Sequence, residues 1–135
     1  MKAITQEHEF GCGIASIAFV LGITYKDTSK LFSIKKADLK GFYCKDLIKV
    51  LKYSGLDYTY RYLKPRFRRK IYRNGSIVFI KRSRDYPHGH YLVRGKGCWM
   101  DSWINFKEDI NINNAISGFR KRLPGKPIYI LERLR

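Results

Sequence analysis

The sequence predicts a single α+β domain in which N-terminal helices pack on an antiparallel sheet. Three observations point to this class: the chain has 135 residues, apolar residues recur at helical spacing in its first part, and they alternate or form short runs in its second part. A hydrophobic content of 44%, with 15% aromatic residues, is typical of a folded globule. We therefore expect residues 1–135 to form one domain with a buried core, and we see no repeat or linker that divides it.

Three helices are expected before the pattern changes its period. The first is apolar on almost every side, which is typical of a helix in the centre of a domain, and Gly22 is placed to end it. The second should turn Leu31 and Phe32 inward, and the third should end at Gly55. The first and third predicted helices cover residues 12–22 and 43–54, and the second starts between residues 24 and 27 and runs to residue 32.

Strand signals follow Gly55. In the first of these segments tyrosines alternate with other residues, and the second is a short apolar run of the kind found in buried strands. The loop Gly95-Lys96-Gly97 joins two further segments and predicts a hairpin. A short helix is expected over residues 113–123, before a closing strand. The predicted strands cover residues 57–63, 77–80, 91–94, 98–100 and 128–131.

The chain carries a large positive charge. Lys and Arg number 28 against 11 Asp and Glu, which gives a net charge of +17. A field of this sign attracts nucleic acid, acidic peptides or anionic lipid headgroups. The alternative is that these side chains serve only to keep the surface solvated, and the composition leaves both interpretations open.

One stretch, residues 64–73, concentrates this charge. It holds six cations and no acid, and Phe67 and Tyr72 within it offer rings on which bases stack. The stretch is therefore a candidate contact for nucleic acid, or for an acidic leader or protein partner, whereas its alternative is a solvated loop between two strands. Residues 120–122 form a second basic cluster. The candidate partner-binding residues are Lys64, Arg66, Arg68, Arg69, Lys70 and Arg73.

The cysteines predict reduced thiols rather than a disulfide framework. Cys12, Cys44 and Cys98 are odd in number and show no spacing typical of a metal site. No apolar signal segment opens the sequence, and the longest apolar run, residues 13–23, is about half the length that spans a bilayer. We therefore expect a cytoplasmic protein without a transmembrane segment, metal or cofactor. The alternative for the thiols is a zinc site built from scattered Cys and His.

Cys12 stands where a helix N-terminus would activate a thiol. Unpaired N–H groups at the start of a helix stabilise the thiolate, which is the form that attacks a carbonyl carbon. Gln6 lies six residues upstream, and its amide and the Cys12 N–H would form a pair of oxyanion donors. Gly11 and Gly13 flank the cysteine and allow the backbone of a substrate to approach. The alternative for Cys12 is a packed structural cysteine.

A base and its orienting carboxylate are available downstream. His90 opens a predicted strand directly after Gly89, which is a third candidate substrate-binding glycine, and Asp101 follows the partner strand of the same hairpin. Paired strands would set Asp101 beside His90, so that the carboxylate accepts from the imidazole and fixes its tautomer. His8 and His88 are rivals, but the first is close in sequence to the cysteine and the second lies outside the strand. The alternatives are a half-buried strand histidine and a turn or cap aspartate.

Together these motifs resemble the C39 peptidases, papain-like cysteine proteases best known for cutting double-glycine leader peptides at bacteriocin ABC exporters. The matching stretches are residues 6–15, with five residues between the glutamine and the Cys-Gly pair, and residues 89–93, Gly-His-Tyr-Leu-Val, followed by Asp101. The order of the elements also fits, so that the resemblance covers nearly the whole chain.

The resemblance implies a papain-like cysteine peptidase fold and a thiol protease that acts on a peptide or protein substrate, for example after a leader of the double-glycine type. The roles that it implies are nucleophile for Cys12, base for His90, orienter for Asp101 and oxyanion donor for Gln6.

Several features depart from the pattern of the family. Gly11 stands where exporter-linked members usually carry Asp, Ser102 follows Asp101 where Pro is common, and only eleven residues separate His90 from Asp101. No transporter segment follows, so we expect a stand-alone domain. Two alternatives to a peptidase stay open: a catalytically silent relative that binds a partner with the same fold, and a basic nucleic-acid-binding protein.

Overall fold

Helices and sheet occupy different parts of the chain, as expected for an α+β domain. The computed structural model describes residues 2–134. Its helices are α1 (Cys12–Leu21), α2 (Tyr25–Ser29), α3 (Ile34–Leu39) and α4 (Cys44–Tyr53). Its strands are β1 (Tyr58–Tyr62), β2 (Ile77–Ile80), β3 (His90–Arg94), β4 (Trp99–Asp101), β5 (Gly118–Arg120) and β6 (Pro127–Arg133). Neighbouring strands are antiparallel throughout, in the order β1-β6-β2-β3-β4-β5, which confirms the predicted class.

Helix α1 crosses the centre of the fold because almost no side of it is polar. Residues 13–18 are all buried, and the helix packs on β3 and α4. Gly13 permits the close approach of the two helices, since a Cβ there would lie 2.9 Å from Leu47 Cδ2. Gly22 ends the helix in the left-handed conformation, with φ of 70°, as its position in the sequence predicts.

Helix α2 is shorter than predicted. It ends at Ser29 because Ser33 starts a separate helix, accepting a hydrogen bond from the Lys36 N–H. Leu31 is 37% exposed, so the prediction that it faces inward is wrong, whereas Phe32 packs against the core. Helix α3 was not predicted because it buries only one residue and therefore shows no apolar periodicity.

The sheet carries a core on each face. One core contacts α1 and α4, and the other lies beneath the segments that follow β1, β2 and β4. The fully buried members of the first are Ile17, Leu47, Leu51, Ile77, Val93, Met100 and Leu131. Those of the second are Ile71, Val78, Ile80, Leu92, Trp99 and Ile130. Burial on both faces explains why β2 is apolar throughout and why Tyr91, Leu92 and Val93 follow one another in β3.

The helix predicted over residues 113–123 is wrong. A 3-10 turn covers Ile112–Asn114, and β5 follows it. The strand forms because β4 pairs with it over three residues, which satisfies backbone groups that a short helix would leave open. Gly118, a poor helix former, also brings β5 close to Ile104, whose Cδ1 would lie 3.1 Å from a Cβ at that position.

The basic stretch is an ordered element rather than a loop. A 3-10 helix covers Pro65–Tyr72, and Pro65 suits its first turn because proline has no N–H to leave unpaired. Ile71 anchors this helix in the second core. No helix within residues 2–134 is both long enough and apolar enough to span a bilayer.

Candidate active site

Cys12 is the first residue of α1, at the end where the helix dipole is positive. Its side chain is half-buried, and the Tyr91 N–H donates a hydrogen bond to Cys12 Sγ over 3.5 Å. The sulfur therefore lies between a helix N-terminus and the start of β3. Both surroundings present N–H dipoles to the sulfur.

Gly11 leaves room for the hydroxyl of Tyr25. A Cβ on Gly11 would overlap Tyr25 Oη, and this hydroxyl bonds His8 Nδ1 over 2.8 Å. An aspartate, which is usual at this place in exporter-linked C39 peptidases, has no space here. Gly11 and Gly13 are both buried, and packing accounts for both glycines. Their contact with a substrate stays a prediction.

His90 and Asp101 form a buried pair. His90 Nε2 lies 2.7 Å from Asp101 Oδ1, and the side chains are 6% and 0% exposed. The two residues are brought together by the β3–β4 hairpin, in which Arg94 pairs with Trp99 and Val93 with Met100. Trp103 N–H donates to the same carboxylate oxygen over 3.0 Å. The carboxylate therefore fixes the ring of His90 through one nitrogen and leaves the other nitrogen, Nδ1, free for a different partner.

Cys12 lies against the same strand, since its Sγ accepts from the N–H of Tyr91, the residue that follows His90. Burial lowers the pKa of His90, but hydrogen bonds to Asp101 and to the Cys12 thiol outweigh it, and the net pKa is raised. Burial raises the pKa of Asp101, but hydrogen bonds and charge from His90, followed by the bond from Arg120, bring the net pKa below its usual value. The pair therefore favours an imidazolium beside a carboxylate.

Arg120 is a site residue that sequence reasoning missed. Its Nε donates to Asp101 Oδ2 over 2.7 Å, and its Nη2 donates to Tyr86 Oη and to the Ile104 carbonyl over 3.2 and 3.1 Å. The sequence shows Arg120 only as part of a basic cluster. No local pattern could have placed it beside Asp101, because β5 was not predicted and its pairing with β4 is what carries Arg120 there.

Tyr86 was also missed. Its ring stacks on His90, with ring centroids 5.1 Å apart and planes at 20°. Burial is the largest cause that raises its pKa, so the hydroxyl stays neutral and accepts from Arg120. The stacked ring covers one face of the imidazole and excludes water from it. Tyr86 lies in a loop without periodicity, and no sequence signal distinguishes it.

Gln6 is buried and holds the turn that precedes Cys12. Its Nε2 donates to the His8 and Glu9 carbonyls over 3.0 and 3.1 Å, so both amide hydrogens have acceptors. Its Oε1 accepts from Ser102 Oγ over 2.7 Å, and its N–H donates to the Ser102 carbonyl. Ser102 thus connects Gln6 to the end of β4. For Gln6 to bind an oxyanion, its amide must exchange one of the two carbonyls for the oxyanion.

Gly89 sets the start of β3 and with it the position of His90. Its φ is +73°, and a Cβ there would clash with the Phe79 ring and approach the Ile80 carbonyl oxygen. Packing and backbone conformation therefore require glycine, and its contact with a substrate stays a prediction.

We expect Gly89→Ala to destabilise the protein by about 2 kcal/mol or more, since left-handed strain and overpacking add. The measurement is urea unfolding followed by tryptophan fluorescence. The matched control is Gly97→Ala, which shares the positive φ of 67° but has no atom within 4 Å of the new Cβ. It should cost only about 1 kcal/mol. Equal costs for the two variants would show that the clash is absent.

The predicted partner-binding cations have different surroundings. Lys70 approaches Glu132, which Arg61 binds over 2.7 Å. Arg66 and Lys70 also lie over the Phe67 ring. Cations of the protein itself therefore already contact the ring on which a base was expected to stack. Lys64, Arg68, Arg69 and Arg73 are exposed. Within residues 2–134, no three His, Cys, Asp or Glu side chains are grouped so as to hold a metal ion.

Comparisons with known proteins leave the family of this chain open. No protein-family model matches it, and no curated protein shows a significant match. The likeness to the C39 peptidases therefore rests on the motifs around Gln6, Cys12, His90 and Asp101.

Proposed function

We propose that this protein is a cysteine peptidase with a papain-like fold, which hydrolyses peptide bonds through Cys12, His90 and Asp101. One observation carries the proposal. The thiol at the N-terminus of α1 lies against the start of β3, where His90 pairs with Asp101, and Asp101 is itself buried and held by Arg120. This is the order nucleophile, base and orienter that acyl transfer by a thiol requires.

In the first step, Cys12 Sγ attacks the carbonyl carbon of the scissile peptide bond. The carbonyl oxygen becomes an oxyanion, which the free N–H groups at the start of α1 stabilise. His90 then gives its proton to the nitrogen of the leaving amine, so that the C–N bond breaks and a thioester on Cys12 remains. Asp101 keeps the ring in place while its charge changes.

In the second step, water attacks the thioester. Neutral His90 takes a proton from the water, the C–S bond breaks, and the carboxylic acid product leaves with the thiolate restored. Gln6 contributes as a second oxyanion donor once its amide turns away from one of the backbone carbonyls. The substrate class is a peptide or protein, and the resemblance implies a leader of the double-glycine type as one member.

The proposal is tested by comparing two thiols of the same molecule. Cys12 and Cys98 are both half-buried, but only Cys12 has a helix N-terminus and an imidazole beside it. Near neutral pH, iodoacetamide should alkylate Cys12 about tenfold or more faster than Cys98, because the thiolate is the reactive form. The rates are read by mass spectrometry of peptides after timed quenching.

Two controls complete this experiment. Unfolding in urea should bring the two rates close together, because both thiols then have ordinary surroundings. His90→Asn should lower the alkylation rate of Cys12 while leaving that of Cys98 unchanged. Two results would exclude an assembled thiol site: equal alkylation rates of Cys12 and Cys98 in the folded protein, or a Cys12 alkylation rate that His90→Asn leaves unchanged.

The bonds of Gln6 favour a second candidate, the catalytically silent relative. In such a protein the Gln6 amide serves only the turn at residues 8–9, and the site binds a partner without cleaving it. Selective labelling of Cys12 together with no cleavage of any member of a peptide library would favour this candidate over the peptidase.

A further inference from the structure

A groove of about 530 Å³ lies on the sheet face away from α1 and α4. Its floor includes Ile71 and Trp99, which belong to the second core. One wall is the 3-10 helix Pro65–Tyr72, and the other is the turn between β5 and β6. Neither wall belongs to the candidate active site, so that the groove is a separate feature of the surface.

Five cations surround this basic groove: Lys64, Arg68, Lys121, Arg122 and Lys126. All five are exposed, and within residues 2–134 none of them forms an ion pair with a carboxylate. Residues 58–84 and 110–131, which supply both walls, contain no acid at all. The groove therefore has an unbalanced positive charge on both of its walls, which attracts a polyanion.

Tyr72 adds a fixed aromatic ring to this groove. It packs at a tilt on Trp99, with ring centroids 6.1 Å apart, and Arg94 lies over its ring at 5.2 Å. The side chain is nevertheless 55% exposed. A ring that is held by its neighbours and still open to solvent loses little freedom when a base stacks on it.

We infer that the basic groove binds single-stranded nucleic acid, with phosphates along the two walls and a base on Tyr72. An acidic peptide would meet the same charges, but the apolar floor offers it little, since Ile71 and Trp99 are only 2% and 1% exposed. The surface of the groove exposes cations and an aromatic ring. Proteins that bind single strands without sequence preference use this combination. Of the six cations predicted to bind a partner, only Lys64 and Arg68 line the basic groove. Its second wall, residues 121–126, supplies the other contacts to the nucleic acid.

The test is fluorescence anisotropy with a labelled oligothymidine of about 12 nucleotides, titrated at several salt concentrations. The double variant Lys121→Gln/Arg122→Gln should weaken binding about tenfold or more at low salt. It should also make the slope of log affinity against log salt shallower by about 1.4, since each phosphate contact on a single strand contributes about 0.7. Tyr72→Leu should weaken binding about tenfold while leaving that slope unchanged.

The matched control is Lys49→Gln/Lys52→Gln. Both lysines are exposed on α4, which packs on the other face of the sheet, and the variant loses the same net charge. Its affinity and salt slope should stay close to those of the unchanged protein. Thermal unfolding of each variant verifies that it is folded, which is expected because the substituted side chains lie at the surface.

Three outcomes would overturn the inference. The first is an equal loss of affinity in the groove variant and the α4 control, which indicates diffuse attraction. The second is an oligonucleotide affinity that Tyr72→Leu leaves unchanged. The third is a polyglutamate peptide that displaces the oligonucleotide at equal charge concentration, which would make an acidic peptide the occupant of the groove.

Discussion

Replacing Asp101 by alanine should lower the free energy of unfolding by about 3–5 kcal/mol near pH 6, because removing one member of a buried ion pair leaves its partners uncompensated. Three groups form hydrogen bonds with this carboxylate. His90 Nε2 and Arg120 Nε each lie 2.7 Å from one of its oxygens, and Trp103 N–H donates to it as well. Urea unfolding followed by circular dichroism gives the free energy and also detects any change in the surface exposed on unfolding.

An exposed ion pair provides the control for this variant. Asp27 and Lys30 are 3.7 Å apart, but their side chains are 61% and 70% exposed. Asp27→Ala should therefore cost no more than about 0.5 kcal/mol. A double-mutant cycle between Asp101→Ala and Arg120→Met should show strong coupling, since both substitutions remove the same bond. A cost for Asp101→Ala as small as that of Asp27→Ala would contradict the buried network.

The stability of the protein should fall as the pH rises above the pKa of an unfolded histidine, about 6.5. The pKa of His90 is higher in the folded state, so folding binds a proton that the unfolded chain has already released. The contribution is complete below pH about 6.5 and is lost as the pH rises toward the folded pKa, at about 1.4 kcal/mol per pH unit. The lowered pKa of Asp101 acts in the other direction, and its contribution disappears only in acid.

His90→Asn removes this contribution. The variant cannot take up the proton, so the difference in unfolding free energy between it and the unchanged protein should be largest at pH about 6 and smaller at pH about 8.5. Burial also raises the pKa of Cys44 and Tyr91, but both proteins share these groups and the subtraction removes them. A difference that stays constant between the two pH values would show that His90 does not carry the raised pKa.

Local sequence patterns predicted the elements that hold the candidate site. The apolar run after Cys12, with Gly22 at its end, specified α1 because helix burial and a left-handed stop are properties of a few neighbouring residues. The hairpin that carries His90 and Asp101 was predicted for the same reason, as its loop glycines lie between two strand-like segments. The helix that was wrongly predicted over residues 113–123 rested on a weak apolar periodicity. There the pairing of β5 with β4 outweighed the local preference of the sequence.

The tertiary structure decided what surrounds these residues. Arg120 reaches Asp101 only because β5 pairs with β4, and Tyr86 covers His90 only because its loop folds back on β3. Similarly, the basic stretch became one wall of a groove when residues 121–126 came to lie opposite it. The sequence by itself determined the α+β class, the position of Cys12 and the hairpin, since each depends on neighbours along the chain. Asp101, Gln6 and the basic stretch each contact residues from distant segments of the chain. Only tertiary packing brings these segments together.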